Sequence, residues 1–301
     1  MIKKAQTSDI EQLTRIYNGL YESKYVSFFF EHVFKPFNTY LIKNEQQILA
    51  TVTVNRHPVM IADKKINVSF LSNLYISNDA KTDGLGRIML DEVMEEMSHN
   101  DLLTMIFTKD IGNYITYGFK PIYRQRLYSF TRQHIPIYSD IGITNEVNVQ
   151  QLKQLYQQFT NYFDGYYHRD KDYYTTKKQL INVLGYKLVA YQDDDGKMTG
   201  YMIYERLSNK IVIKELIYLN SVAFIKLLNH ALHLSPLIDF TLPNGINVNR
   251  IIPSAQYEIM ENISVRLNDK PLFERLFNTK ITMIDDVFDQ AQKPLFINED
   301  Y

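Results

Sequence analysis

Cysteine and tryptophan are both absent from the 301 residues of this chain. Without cysteine the protein cannot use a disulfide, a thiolate nucleophile or a zinc–sulfur site. The absence agrees with the reducing cytoplasm, which is the location we expect. Lysine and arginine total 33 against 34 aspartate and glutamate residues, a net charge of −1. This balance gives no reason to expect nucleic acid or a membrane surface as a partner.

Long apolar runs are absent as well. No segment reaches the roughly 20 apolar residues that a membrane span requires, and the N-terminal residues lack the apolar stretch of a signal peptide. The seven histidines show no spacing typical of a metal site. His230 and His233 lie three residues apart on a predicted helix, where a surface role is the simpler interpretation. We therefore expect neither a membrane segment nor a metal cofactor.

The chain does contain two successive units with similar predicted elements, and its length allows each unit to bury a core. The pattern divides it into segments 1–134, 135–270 and 271–301. In each of the first two, helices precede an antiparallel meander, which is followed by a helix and further strands. Ser8 and Glu11 have the spacing of a capping box that starts the first helix. This order indicates an α+β fold with a structural duplication.

The most informative stretch lies in the first unit. It predicts a strand at Ser69–Ser77, a tight glycine loop at Lys81–Arg87 and then an amphipathic helix to about residue 98. Such a succession presents backbone N–H groups and a helix N-terminus to a phosphate. Gly84 and Gly86 would let the backbone approach an anion closely. The alternative is that the two glycines only form a tight strand-to-helix turn.

The helix after this loop is expected to face the core with four side chains, Ile88, Met89, Val93 and Met97. In the second unit the corresponding position is Asn220-Ser-Val-Ala-Phe224, which contains no glycine. We therefore do not expect the second unit to hold a pyrophosphate in the same way.

Two motifs in the first unit resemble signatures of the GNAT N-acetyltransferase superfamily. They are Lys81-Thr-Asp-Gly84-Leu-Gly86 after a central strand and Tyr114-Ile-Thr-Tyr117-Gly118-Phe119 further on. The tandem layout is similar to the Eis-like (enhanced intracellular survival) branch. The resemblance implies tandem GNAT acyltransferase folds, each a mixed, mostly antiparallel sheet flanked by helices. Segment 1–134 would be catalytic and 135–270 degenerate. Segment 271–301 resembles the start of a sterol-carrier-like domain, with first strands at 280–286 and 294–298.

The same resemblance implies a site for acetyl-CoA. Backbone groups of Leu74, Tyr75 and Ile76 would hold the pantetheine arm and the thioester. The pyrophosphate would lie on the N–H groups of the loop, which consists of Lys81, Thr82, Asp83, Gly84, Leu85, Gly86 and Arg87. Lys81 replaces the usual glutamine or arginine. Asp83 places a carboxylate in an anion-binding loop, where it lowers the affinity for coenzyme A if it points inward and costs little if it points to solvent.

Tyr114 matches the tyrosine that serves this family as general acid. An unperturbed phenol titrates at about 10, close to a thiol, so proton transfer to the coenzyme A thiolate is nearly balanced. The alternative for Tyr114 is a packing role on a short helix, and Tyr117 and Phe119 are expected in the core. Glu22 either lines the acceptor pocket, where it attracts a cationic amine, or is a solvated helix-end charge.

These expectations predict an acetyl-CoA-dependent N-acetyltransferase that acts on an amine of a small molecule or a peptide. The resemblance also implies a homo-oligomer. The alternative is a non-catalytic acyl-CoA-binding or assembly protein on the same scaffold. The acceptor and the general base stay open, as does the question whether the carboxylate of Tyr301 reaches the site.

Overall fold

The computed structural model describes residues 2–78, 80, 84–108, 110–289 and 293–298. Within these ranges the α-helices are α1 Ile10–Asn18, α2 Ser23–Phe28, α3 Leu85–Asn100, α4 Gly112–Ile115, α5 Val149–Thr160, α6 Lys171–Leu184, α7 Ser221–Leu234, α8 Lys270–Phe277 and α9 Asp286–Asp289. The strands are β1 Lys3–Lys4, β2 Thr39–Lys43, β3 Ile48–Ile61, β4 Lys64–Ile76, β5 Leu103–Phe107, β6 Lys120–Phe130, β7 Ile143–Thr144, β8 Tyr166–Tyr167, β9 Lys187–Gln192, β10 Met198–Arg206, β11 Ile211–Tyr218, β12 Ile238–Pro243 and β13 Tyr257–Leu267.

The chain forms two compact units whose segments interleave along the sequence. The first contains the chain up to Tyr123 and the stretch that begins at Glu261. The second contains Arg124–Met260 and Lys293–Asn298. The domain boundaries at residues 134 and 270 stay predictions. The two compact units divide instead after Tyr123 and after Met260.

The first unit is built on a sheet with the strand order β1-β2-β3-β4-β5-β13. Neighbouring strands are antiparallel except β4 and β5, which run parallel and are connected through α3. A parallel pair requires such a crossover, and a helix on the sheet face supplies it. Helix α3 buries Met89, Val93 and Met97 against the sheet as predicted, but Ile88 is 52% exposed and the prediction for it was wrong.

The second unit repeats this plan with the strand order β6-β12-β11-β10-β9-β7. Its parallel pair is β11 and β12, connected through α7. Apolar residues at helical spacing in the sequence predict a helix over Ser221–Leu234, which is the range of α7, and Phe224, Leu228 and Ala231 are fully buried. The predicted fold class, a mixed and mostly antiparallel sheet flanked by helices, is confirmed.

Local predictions failed at two places. The capping box at the first helix is formed by Gln6 and Asp9 and not by Ser8 and Glu11, because residues 7–9 form a 3-10 turn before α1 begins. The strand expected at 280–286 does not form either. There the Asp286 carboxylate accepts hydrogen bonds from the N–H groups of Thr282 and Met283, at 2.6 and 2.9 Å, which occupies donors that a strand ladder would need.

The strand expected at 294–298 is reduced to a single bridge between Leu295 and Asp164. Pro294 has no N–H group to give to a ladder. The segment instead packs by Phe296, which is buried among the rings of Tyr156, Phe159 and Phe163. Among all helices in the described ranges, none combines the length and apolar character needed to cross a membrane.

Candidate active site

The central strand β4 carries a one-residue bulge near its end. Pairing with β3 runs from Thr53↔Ser72 to Thr51↔Tyr75, so two residues of β4, Asn73 and Leu74, lie opposite the single residue between the two threonines. Asn73 has φ of +54°. A non-glycine residue is uncommon in this left-handed region, although asparagine tolerates it better than most. Bulges that redirect a strand are often found next to active sites.

The bulge lies where β4 leaves its parallel neighbour. The described pairing of β4 with β5 extends from Val68↔Leu103 to Leu71↔Ile106. Strand β4 nevertheless continues to Ile76. The sequence-predicted residues Leu74, Tyr75 and Ile76 therefore lie on a strand end beyond that parallel pairing, at the carboxyl end where ligands commonly bind in parallel α/β arrangements.

The two glycines of the loop are required for different reasons. Gly84 has φ of +68°, and a Cβ placed on it would meet nothing within 4 Å, so its backbone conformation alone favours glycine. Gly86 lies in the first turn of α3, where a Cβ would come within 2.2 Å of Cδ1 of Ile76. Gly86 thus allows the start of α3 to approach the end of β4.

Among the described residues, no side chain caps the N-terminus of α3. Gly84 holds the N-cap position and has no side chain with which to cap the helix. The first turn, Leu85-Gly86-Arg87, contains no acidic residue, and the Arg87 side chain is 84% exposed. The first N–H groups of a helix lack partners within the helix, and its dipole favours negative charge there. Lys81, Thr82 and Asp83, also predicted for this site, lie outside the described residues.

Tyr114 meets the ends of these two elements in one hydrophobic cluster. Its side chain is buried on α4 and belongs to a cluster that includes the buried face of α3, and Leu74, Ile76 and Leu85 pack against the same cluster. Tyr75, between the two aliphatic residues of β4, is partly exposed. Burial, and secondarily the charge of Asp110, raises the pKa of the Tyr114 phenol. The phenol therefore stays protonated at neutral pH, the state that a proton donor requires.

A second tyrosine of the same motif contacts α3. Phe119 is buried as predicted, and Tyr117, although partly exposed, packs against the same hydrophobic cluster. The Tyr117 hydroxyl donates a hydrogen bond to the carbonyl oxygen of Arg87 at 3.4 Å. Burial, followed by a hydrogen bond with Asp91, raises the pKa of Tyr117 to about 12. Its position could have been suspected from the motif spacing, since it lies one helical turn after Tyr114.

An aromatic wall stands on the other side of the bulge. It is formed by four rings: Tyr17 of α1, Tyr21 between the two helices, Tyr25 of α2 and Phe30 just after α2. The Tyr21 hydroxyl donates a hydrogen bond to Oδ1 of Asn73 at 2.9 Å. Glu22 follows at the N-cap position of α2 with an exposed side chain. No local sequence signal pointed to the contact between Tyr21 and Asn73.

Away from this site, two histidines approach the same aspartate. His230 and His233 each place Nδ1 at 2.9 Å from an oxygen of Asp140. In the part of the chain that the structure describes, no three histidine, aspartate or glutamate side chains are arranged to hold a metal ion.

Comparison with known proteins places the fold. Residues 165–242 match the family model described as an acetyltransferase (GNAT) domain. No curated protein matches the chain. Among solved structures, a probable N-acyltransferase of unknown function from Enterococcus faecalis V583 is similar over 91% of this chain and 74% of its own, with 15% identity and a TM-score of 0.74.

Two further solved structures are similar over most of the chain. A GCN5-related N-acetyltransferase from Anabaena variabilis matches 89% of this chain and 73% of its own, with 15% identity and a TM-score of 0.72. Eis1 from Mycobacterium abscessus matches 91% and 75%, with 11% identity and a TM-score of 0.63. At these identities the likeness concerns the fold. The family match adds a likeness to an acetyltransferase (GNAT) domain over residues 165–242.

The family match lies in the second unit. Its range contains β9, β10, β11 and α7 and ends within β12. It does not reach Gly84, Gly86 or Tyr114, so the assignment of the reaction centre to the first unit depends on geometry.

Proposed function

We propose that this protein is an acetyl-CoA-dependent N-acetyltransferase that transfers an acetyl group to an amine of a small molecule or a peptide, with its reaction centre in the first unit. The observation that carries the proposal is that Tyr114 belongs to the hydrophobic cluster against which Leu74 and Ile76 of β4 and Leu85 of α3 also pack. In the proposal this cluster joins the proton donor to the end of β4 and to the start of α3.

The residues present fit a CoA pyrophosphate at the start of α3. A Cβ placed on Gly84 would meet nothing within 4 Å, and in the proposal the N–H groups of Leu85, Gly86 and Arg87 supply donors for an anion. Lys81, Thr82 and Asp83 complete this loop in the proposal. Acetyl-CoA, when bound, supplies the activated acyl group as a thioester, and backbone groups of Leu74, Tyr75 and Ile76 orient it.

Two side chains complete the proposed chemistry. Tyr114 gives its phenolic proton to the departing thiolate, for which its raised pKa keeps it protonated. Glu22, exposed beside the aromatic wall, attracts a cationic amine by its charge. We further propose the Eis-like arrangement: tandem GNAT units with a degenerate second domain, a C-terminal sterol-carrier-like remnant and a cytoplasmic homo-oligomer.

The first test measures thiol release from acetyl-CoA with polyamines, aminoglycosides and lysine-containing peptides as acceptors. Turnover with any of these amines supports the proposal. Binding of coenzyme A without turnover would instead indicate a non-catalytic acyl-CoA-binding or assembly protein. Absence of both binding and turnover would contradict both.

Replacing Tyr114 with phenylalanine tests the proton donor. We expect kcat to fall about 100-fold, the lower range for loss of a general acid, while the dissociation constant for coenzyme A stays unchanged. The alkaline limb of the pH–rate profile should also disappear, because it reports deprotonation of this phenol. Tyr117→Phe is the matched control from the same motif and should keep most of the activity. If Tyr114→Phe kept full kcat, Tyr114 would not be the proton donor and its role would be packing.

A further inference from the structure

A hydrogen bond ties the turn after the first helix to the bulged residue of the central strand. The Tyr21 hydroxyl donates to Oδ1 of Asn73 at 2.9 Å, across 52 residues of sequence. Tyr21 follows α1, and the next residue is the N-cap of α2. The bond therefore connects the aromatic wall with the strand that carries Leu74, Tyr75 and Ile76.

Asn73 adopts a conformation that its neighbours must maintain. Its φ of +54° places a non-glycine residue in the left-handed region, which persists only where the surroundings enforce it. Glycine would adopt this conformation without the steric cost. Asparagine provides what glycine lacks, a side-chain oxygen, and that oxygen accepts the bond from Tyr21.

The Tyr21 ring is itself held from two sides. It makes an edge contact with Tyr17 at 6.2 Å between ring centroids and another with Tyr25 at 5.7 Å. Tyr17 is fully buried, and its hydroxyl lies 3.3 Å from Oγ1 of Thr53, the β3 residue at one end of the bulge. The wall thus contacts the bulge on both strands, while Tyr21 keeps 40% of its surface exposed.

We propose that Tyr21 and Asn73 form a positioning pair that fixes the backbone of Leu74–Ile76 and couples it to the acceptor side of the site. This inference rests on the proposed function, because it assumes that this backbone orients the thioester. Neither residue transfers a proton. The pair acts by holding the bulge in one conformation, so that an acceptor resting on the aromatic wall and an acyl group on β4 meet in a fixed geometry.

The test is a cycle of conservative variants with acetyl transfer as the readout. Tyr21→Phe removes only the hydroxyl and should lower kcat about 3- to 10-fold, as expected for one neutral hydrogen bond, with the coenzyme A dissociation constant unchanged. Asn73→Gly keeps the left-handed backbone but removes the acceptor oxygen and should have a similar effect. The double variant should be no worse than either single variant. Asn73→Asp keeps an acceptor oxygen and should retain activity.

Tyr25→Phe is the matched control, since it removes a neighbouring phenol outside this pair, and it should leave kcat unchanged. Hydrogen exchange at the amides of 74–76 gives a readout that does not depend on activity, and it should accelerate in Tyr21→Phe. If the unmodified protein acetylates no amine but exchange still accelerates, the proposed function fails and the positioning pair stands. Unchanged exchange together with unchanged kcat, or additive effects in the double variant, would overturn the pair.

Discussion

The two units build the same strand–helix–strand crossover but begin its helix differently. In the first unit residues 77–84 separate β4 from α3, and the N-cap is Gly84. In the second unit only Leu219 and Asn220 separate β11 from α7, and the Asn220 side chain accepts a hydrogen bond from the N–H of Ala223 at 2.9 Å. Within the described residues, one crossover helix thus starts without a side-chain cap and the other starts capped. This difference is the reason for proposing a phosphate site in the first unit and not in the second.

The central strands of the two units differ as well. Strand β11 also carries a one-residue bulge, at Lys214, where its pairing with β10 shifts. Beside that bulge lies a buried ion pair, in which Arg169 contacts both carboxylate oxygens of Glu215 at 3.0 and 2.8 Å. Tyr201 donates to the same carboxylate at 2.5 Å, and the Arg169 guanidinium lies 3.9 Å from the ring centre of Tyr156. At the bulge of β4 the first unit has instead the partly exposed Tyr21 and the neutral Asn73.

The largest effect should come from breaking that ion pair. Arg169→Ala leaves the buried Glu215 carboxylate without its cation and should lower the free energy of unfolding by about 3–5 kcal/mol, measured by urea denaturation. Because the proposed cofactor site lies in the other unit, the affinity of the folded protein for coenzyme A should not change.

Lys210→Ala is the control for this variant. It removes the more exposed pair with Asp239, 2.7 Å apart, and should cost less than about 1 kcal/mol. If folded Arg169→Ala lost coenzyme A binding and the control did not, the cofactor site would lie in the second unit.

A smaller effect is expected at the glycine that distinguishes the two helix starts. Gly86→Val places a branched side chain against Ile76, and overpacking of about 1–3 kcal/mol would push α3 away from β4. We expect the dissociation constant for coenzyme A to rise about 10-fold or more, measured by calorimetry.

Combining Gly86→Val with Ile76→Ala returns the lost space and should restore part of the affinity. The thermal midpoint of each variant shows whether the protein is still folded. If the folded Gly86→Val protein bound coenzyme A with unchanged affinity, the start of α3 would not be part of the cofactor site.

The smallest effect belongs to the capped helix. Asn220→Ala removes the side-chain acceptor for the Ala223 N–H and should lower the free energy of unfolding by about 1 kcal/mol, measured by denaturation. Coenzyme A affinity and kcat should stay the same. Asn220→Gly should cost less, because glycine is tolerated at N-caps. A gain of coenzyme A binding in either variant would indicate that the second unit retains a phosphate site.

Features set by neighbouring residues could be predicted from the sequence. The range of α7, Ser221–Leu234, follows from the spacing of its apolar residues. The capping box was misplaced by two residues because Gln6 and Asp9 satisfy the same spacing as Ser8 and Glu11. Ile88 was misassigned because the buried stripe of α3 runs through Met89, Val93 and Met97 together with Leu90 and Met94, and Ile88 lies beside that stripe.

Features made by distant residues could not be predicted. The left-handed conformation at residue 73 could not be expected from the sequence, because the residue there is asparagine and not glycine. Its partner Tyr21 is 52 residues away. Arg169 and Glu215 are 46 residues apart, and a charged pair in the sequence looks the same whether it is solvated or buried. The roles of Tyr114, Glu22 and the loop residues stay predictions, which the variants above are designed to decide.

The interleaving of the two units has a consequence for how the protein is made. Strand β5 pairs with β13 through Leu103↔Leu267, so β5 lacks one of its neighbouring strands until the segment around Leu267 has been synthesised. Phe296, which belongs to the aromatic interior of the second unit, is synthesised later still. Domains usually fold one after another during translation. Here each unit obtains its last packing partners from a late part of the sequence, so one edge of β5 stays unpaired for longer.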